Sequence, residues 1–271
     1  IYPDIIVARC SEYLEPHIKK KIGLFCNLDA SHVISGVDVS NVYEVPMIYV
    51  NEGIPEIITQ KLRLYAPPKL DEWGKLVDSI NRNNENPRKV LTIAICGKYT
   101  VLEDSYASVV ESINHSAAHL DLKANIVWID TEAVEVNKLD PQTVLAGVDG
   151  IIVPGGFGYR GSEGKISLIK YAREQNLPFL GICYGMQLAV VEYARNIANI
   201  DGAGTIESER DGFKVKAPVI GFLPGQENIK DMGATMRLGG QDVLITKGSK
   251  AEEVYGSDFT RARFRHRYEV N

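Results

Sequence analysis

The sequence predicts an α/β fold with largely parallel sheets and helices on both faces. Short runs rich in Val and Ile alternate with segments of helical spacing. The strand-like run Gly150-Ile-Ile-Val153 breaks on Pro154-Gly155-Gly156, and Pro178-Phe-Leu-Gly-Ile182 breaks on a second glycine-flanked turn. Strands that alternate with helices are joined by crossovers, which cover both faces of a parallel sheet. Ligands of such sheets bind beyond the C-terminal ends of the strands.

Taken in order, Ile5–Ala8, Ile22–Cys26, Val33–Ser35 and Ile48–Val50 read as strands or strand ends, and Pro55–Leu64 has helical spacing. Ala66-Pro67-Pro68 interrupts the pattern, because each proline removes a backbone donor and restrains its predecessor. Leu70–Ile80 reads as a short helix, and Asn81-Arg-Asn-Asn-Glu-Asn-Pro87 as polar linker. The expected organisation is a first domain over 1–65, a linker over 66–88 and a second domain over 89–271. In the second domain Val90–Cys96, Asn125–Ile129, Gly150–Val153 and Pro178–Ile182 read as strands. Tyr106, Val109, Val110, Ile113 and Ala117 fall at helical spacing, as do Ser167–Arg173 and the apolar set Met186, Val190, Tyr193, Ala194 and Ile197.

The 271 residues, 45% of them hydrophobic, suffice for two cores. A net charge of −5 argues against a nucleic-acid-binding surface. The apolar runs are too short to cross a bilayer, and no signal peptide is visible. Four scattered cysteines form no C-x-x-C pair, so no metal site is expected and a reduced, cytoplasmic setting is. Cys10, Cys26 and Cys96 are expected to be small buried apolar residues. The chain opens on Ile1, directly in a strand-like run, and stops just after a dense polar motif. Both ends therefore read as cut from something longer.

Two loops carry chemistry. In Gly181-Ile-Cys-Tyr-Gly185 an apolar strand runs into a cysteine with a glycine two residues away on each side, and a helix follows. This is the pattern of a nucleophile elbow. The glycines remove Cβ atoms that would clash in the turn. The helix N-terminus is expected to lower the Cys183 thiol pKa, and the amides after it to stabilise an oxyanion. The plain alternative is a buried cysteine at a strand end. The second loop, Pro154-Gly-Gly-Phe-Gly-Tyr-Arg-Gly161, follows an apolar strand with glycines at 155, 156, 158 and 161. It exposes backbone N–H groups to an anion, or it is an ordinary connection.

Taken together, Pro-Gly-Gly-Phe-Gly and Gly-Ile-Cys-x-Gly-Met-Gln resemble the class I glutamine amidotransferases, and the finer pattern resembles the CTP synthases. Gly97-Lys-Tyr99, Ala194-Arg-Asn196, Gly233-Ala-Thr-Met-Arg-Leu-Gly239 and Arg265-His-Arg-Tyr-Glu-Val-Asn271 support it. So do Lys21-Ile-Gly-Leu-Phe-Cys-Asn27 and Val33-Ile-Ser35, which are similar to the end of a synthetase domain of P-loop type. The resemblance implies ATP-dependent amination of UTP to CTP, with magnesium accompanying ATP and GTP as activator. Ammonia would come from glutamine through a thioester on Cys183 and pass along an internal tunnel. CTP would be product and inhibitor, and the assembly a homo-tetramer, with no nucleic-acid or membrane partner.

By position, the resemblance makes Cys183 the nucleophile and Gly156 part of the oxyanion loop. Tyr184, Gly185, Met186 and Gln187 fall in the glutamine-holding turn, and Glu207 and Arg267 contact the substrate. Around Glu207 the chain reads Gly204-Thr-Ile-Glu207 where the family has Asn-Ser-Thr-Glu, and Glu209 is a rival. In the first domain Arg9 falls near the ATP phosphates, Lys21 in the UTP and CTP site, and Asp38 and Val39 near the adenine. The family's basic His-x-Glu is absent, since none of the five histidines begins one. The chain as written is therefore expected to be catalytically incomplete. Another amidotransferase with a different acceptor, and a non-catalytic assembly module, remain as alternatives. The first 65 residues argue against the former.

Overall fold

The computed structural model describes residues 2–64, 66–100, 103–227 and 236–271. The chain divides into two compact units, residues 1–90 with 110–124, and residues 91–109 with 125–271.

In the first unit β1 (Ile6–Cys10) pairs in parallel with β2 (Val33–Val37), Ile6 opposite Val33 and Cys10 opposite Val37. The crossover between them is α1 (Pro16–Cys26), opened by a proline at its first turn and closed by Asn27 in the left-handed conformation. The stretch Ile22–Cys26, expected as a strand, is thus helical. Ile18, Ile22 and Cys26 recur every four residues as its half-buried stripe, while Leu24 and Phe25 face outward. Ile48–Val50 is also helical, within α2 (Val45–Asn51). A short apolar run fits strand or helix equally, and Pro46 in the first turn decides for helix here. After α3 (Ile54–Leu62), α4 (Asp71–Glu85) runs through most of the asparagine-rich stretch read as linker. Those asparagines are engaged. Asn81 donates to Glu44 and accepts from Asn41, and Asn83 is buried. Most of α5 (Ala107–His119) belongs to this unit, where Glu111 accepts a hydrogen bond from Tyr43.

The second unit is built on a four-stranded sheet of β3 (Val90–Gly97), β4 (Lys123–Asp130), β5 (Gly150–Val153) and β6 (Phe179–Gly181), in the order β4-β3-β5-β6. β3, β5 and β6 are parallel. The chain leaves β3 for β4 on one side and returns to β5 on the other, so the topology switches direction at β3. A crevice opens beyond the strand C-termini at such a point. α6 (Thr131–Val136) and α7 (Pro141–Val144) precede β5; α8 (Ser162–Glu174) and α9 (Tyr184–Asn196) follow β5 and β6. α8 starts ahead of the expected Ser167 because Gly161 turns at φ 74 and Gly164 packs against α6, where a Cβ would lie 2.0 Å from the Thr131 carbonyl oxygen. Ile151, Val153, Leu168, Leu188 and Val191 form the core between sheet and helices.

Beyond α9 the alternation stops. β7 (Ala203–Thr205) runs parallel to β8 (Ala217–Phe222). β9 (Arg237–Leu244), α10 (Lys250–Tyr255) and β10 (Phe259–His266) form an antiparallel pair with an intervening helix, and β11 (Tyr268–Val270) returns antiparallel to β8. Residues 233–235 of the Gly233–Gly239 motif lie outside the described residues.

Candidate active site

Cys183 stands between β6 and α9 with φ 54 and ψ −111, a backbone conformation that a non-glycine residue holds only under constraint. Its neighbours supply that constraint. A Cβ on Gly181 would lie 2.7 Å from the Met186 nitrogen, and one on Gly185 only 1.9 Å from the Val153 carbonyl oxygen. Both glycines are therefore obligatory for the close approach of α9 to β5 and β6, which is why the sequence spaces them around the cysteine.

The expected depression of the thiol pKa is not met. Burial pushes the Cys183 thiol up, with Glu207 adding to it. The Tyr184 N–H and the Lys165 ammonium act in the opposite direction without overcoming the burial. Cys10 and Cys26 are half-buried rather than buried; Cys96 is fully buried, and its thiol is pushed up to about 12 by desolvation.

The glycine-rich loop after β5 passes directly over the thiol. A Cβ on Gly155 would sit 3.3 Å from the Cys183 Cβ and 3.7 Å from its Sγ. Gly156, Cys183, Tyr184, Gln187, Glu207 and Arg267 line one narrow cleft at this strand edge. The cleft is not enclosed and opens to solvent. Gly185 is buried beneath the turn and Met186 is 40% exposed; neither lines the cleft. Tyr184 is buried, with its hydroxyl 2.9 Å from Ser162 Oγ. Gln187 donates from Nε2 to the Tyr268 carbonyl at 3.1 Å and so ties α9 to β11, beside Arg267.

Glu207 is 8% exposed and accepts the Gly158 N–H at 3.0 Å. Burial raises its carboxyl pKa, against the pull of that N–H, Arg210 and Lys98. Asp211 accepts the Tyr159 N–H at 2.5 Å, so two acidic side chains hold two successive amides of the glycine-rich loop. Glu209, the rival of Glu207, does not line the cleft. His266 does line it, with its Nε2 buried and no partner among the described residues.

In the first unit Arg9 near the end of β1 and Asp38 just past β2 form an ion pair at 2.8 Å. They stand at the C-terminal edge of two parallel strands, where α/β sheets receive ligands. Val39 follows, half-buried. Lys21 is exposed on α1 and shares no hydrogen bond or ion pair with Arg9 or Asp38. Among the described residues no group of three or more His, Cys, Asp or Glu is placed to hold a metal ion, so no residue here is assigned to magnesium.

Residues 101–271 match the family model "Glutamine amidotransferase class-I", and the chain belongs to that family. Residues 1–64 match "CTP synthase N-terminus". The chain is 51% identical over 271 residues to a CTP synthase of Borreliella burgdorferi and 46% identical to one of Methanococcoides burtonii, covering 100% and 99% of this chain but 50% and 49% of theirs. It thus spans about half the length of the curated relatives it matches. A solved structure, the glutaminase domain of Trypanosoma brucei CTPS with bound acivicin, is 36% identical, with a TM-score of 0.58 over 67% of this chain and 68% of that one. Within the amidotransferases, then, this is a chain of the CTP synthase family.

Reading the sequence alone passed over Asp211 and the buried Lys165. Lys165 stands four residues after Gly161 and Asp211 four after Glu207, but only the fold shows which loop atoms they hold.

Proposed function

We propose that this chain carries the glutamine-hydrolysing part of a CTP synthase together with the end of its synthetase part. Cys183 attacks the glutamine side-chain amide carbon. The C–N bond breaks, ammonia leaves with an added proton, and water then cleaves the Cys183 thioester to glutamate. Gly156 and Tyr184 amides face the developing oxyanion. Glu207 binds the substrate ammonium group and Arg267 its carboxylate, while Gly185, Met186 and Gln187 shape the turn behind it.

The ammonia serves ATP-dependent amination of UTP, with Arg9, Asp38, Val39 and Lys21 belonging to the nucleotide sites. Magnesium as companion of ATP, GTP as activator, CTP as inhibitor, a homo-tetramer and a cytoplasmic setting complete the reading. All four cysteines are free, which suits a reduced compartment. No helix of the described residues is long and apolar enough to cross a membrane.

The observation that supports this reading best is the left-handed Cys183 elbow under the glycine-rich loop, facing a buried carboxylate and a buried arginine. The test is Cys183→Ala in a full-length protein carrying these residues. Glutamine-dependent CTP formation is expected to vanish while ammonia-dependent formation persists, because free ammonia bypasses the thioester. Loss of both in a folded protein would make Cys183 structural.

A further inference from the structure

Lys165 is 1% exposed, the fourth residue of α8, near the helix end that favours anions over cations. Among the described residues no carboxylate pairs with it. Burial, and then Lys98, bring its pKa down to about 8. An unpaired buried ammonium is costly. Such a violation of local rules is expected where the group serves a site.

The contacts show what Lys165 holds. Its Nζ donates to the Pro154 carbonyl oxygen at 3.1 Å and lies 5.6 Å from the centre of the Tyr184 ring. Lys98, just past β3, donates to the Phe157 carbonyl oxygen of the same loop. A Cβ on Gly156 would lie 3.8 Å from Lys165 Nζ and 3.5 Å from Lys98 Cε, so both lysines converge beneath that glycine. In a trans peptide the carbonyl and the following N–H point in opposite directions. With the Pro154 and Phe157 carbonyls turned to the lysines, the Gly155 and Gly158 amides are turned away from them. Gly158 N–H meets Glu207, and Gly155 packs against Cys183. Among the described residues neither Gly155 nor Gly156 spends its N–H on a protein acceptor.

We propose that Lys165, seconded by Lys98, is a positioning residue that fixes the two peptides flanking Gly156, at Pro154–Gly155 and Phe157–Gly158, so that the Gly156 amide between them is held toward the group bound at Cys183. This rests on the glutaminase reading above and adds residues to it. The loop is glycine-rich, with left-handed turns at Gly158 and Gly161, so its peptides would turn over readily without an anchor. The lysines supply that anchor through the Pro154 and Phe157 carbonyls.

The test is Lys165→Met, which keeps an unbranched chain and removes the charge, in a full-length protein carrying these residues. Misplaced oxyanion donors cost about 10²–10³-fold in kcat when wholly lost. A loop that only wanders is expected to cost roughly tenfold or more in kcat for glutamate release, with the KM for glutamine little changed. Alkylation of Cys183 by iodoacetamide needs the thiol but no oxyanion amides, and is expected to fall much less than kcat. Unchanged kcat, or a raised KM at constant kcat, overturns the proposal. So does alkylation that falls as far as kcat, since Lys165 would then act on the thiolate. If Lys165→Met lowers the melting temperature so far that it is not folded at assay temperature, Lys98→Met decides by the same measurements, because that side chain is only half-buried. A parent protein that releases no glutamate removes the functional reading and this inference with it. A parent that does, with variants equal to it, removes the inference alone.

Discussion

Each unit holds a nearly buried glutamate, and the two sit in opposite fields. In the first, Glu52 is desolvated by burial, but the hydrogen bonds from Lys19 and the Ser35 N–H overcome this and hold its carboxyl below the ordinary range. In the second, burial wins at Glu207, and the Gly158 N–H only moderates the rise. The first carboxylate is paired by the protein and acts as a brace between α1, β2 and the end of α2. The second is only partly compensated, by the Gly158 N–H, Arg210 and Lys98, and it faces a cleft with Cys183 and Arg267. Buried charge whose own protein does not satisfy it is a mark of a binding site, and satisfied charge is a mark of structure.

The same contrast governs glycines, and it gives the largest effect. Gly185→Ala places a Cβ 1.9 Å from the Val153 carbonyl oxygen, which is backbone and cannot swing aside. A loss of about 3 kcal/mol or more, with loss of glutaminase activity, is expected from overpacking of this kind. Chemical denaturation of the two proteins would show it. Gly74 in α4 is the counterpart in the other unit, because a Cβ there meets only Met47 Cε at 4.0 Å. Gly74→Ala is expected to stabilise by about 0.5–1 kcal/mol. Equal effects at the two positions would mean that the elbow is not built on close approach.

Next in size is Glu207→Gln. If Glu207 holds the substrate ammonium, removing its charge should raise the KM for glutamine roughly ten- to a hundredfold, the worth of a hydrogen bond to a charged group. Ammonia-dependent amination should not change. A KM that stays put would reduce Glu207 to an anchor of the Gly158 amide. Lys21→Ala is the matching test in the first unit. Its exposure argues for a smaller effect, about tenfold weaker UTP use with either nitrogen source, read from initial rates against UTP concentration. An unchanged UTP dependence would remove Lys21 from the site.

Legibility in the sequence also differed between the units. β5, α9 and the elbow could be read because Pro154-Gly155-Gly156 and Gly181 to Gly185 punctuate them, even though Gly185 and Gly155 are required by contacts with other segments, Val153 and Cys183. The helical character of Ile22–Cys26 and Ile48–Val50 could not. Each run is short and rich in apolar residues, and the choice of helix was made by prolines upstream and by packing on β2. The pairing of the antiparallel strands β8 to β11 could not be read either, because Pro224-Gly225, Gly248 and Gly256 mark turns without saying which strands pair. The pKa of Cys183 was misjudged for a different reason. A helix N-terminus is visible in sequence, but the burial that outweighs it depends on the segments after β5, β6 and β7 meeting in the fold.

The smallest prediction turns the opening contrast into a pH dependence. A carboxyl with a depressed folded pKa contributes stability that is present above its unfolded value, near 4.5, and lost as pH falls through the folded value. Glu52 is of this kind, so Glu52→Gln should lower the melting temperature at pH 7 and the gap to the parent should narrow below pH 4.5. A carboxyl with a raised folded pKa behaves in the reverse sense. Its ionisation costs stability as pH rises from about 4.5 through the folded value. Glu207→Gln keeps an oxygen for the Gly158 N–H and sheds that cost, so it should melt at or above the parent at pH 7, with the gap closing under acid. The shifts expected are a few degrees, about what 1 kcal/mol moves a domain of this size. Melting curves at pH 7, 5.5 and 4 for the three proteins, with glutamine absent, measure both signs at once. If both substitutions destabilise at pH 7 and converge on the parent in acid, Glu207 is paired within the protein as Glu52 is. Its case as the ammonium ligand then loses the electrostatic half of its support.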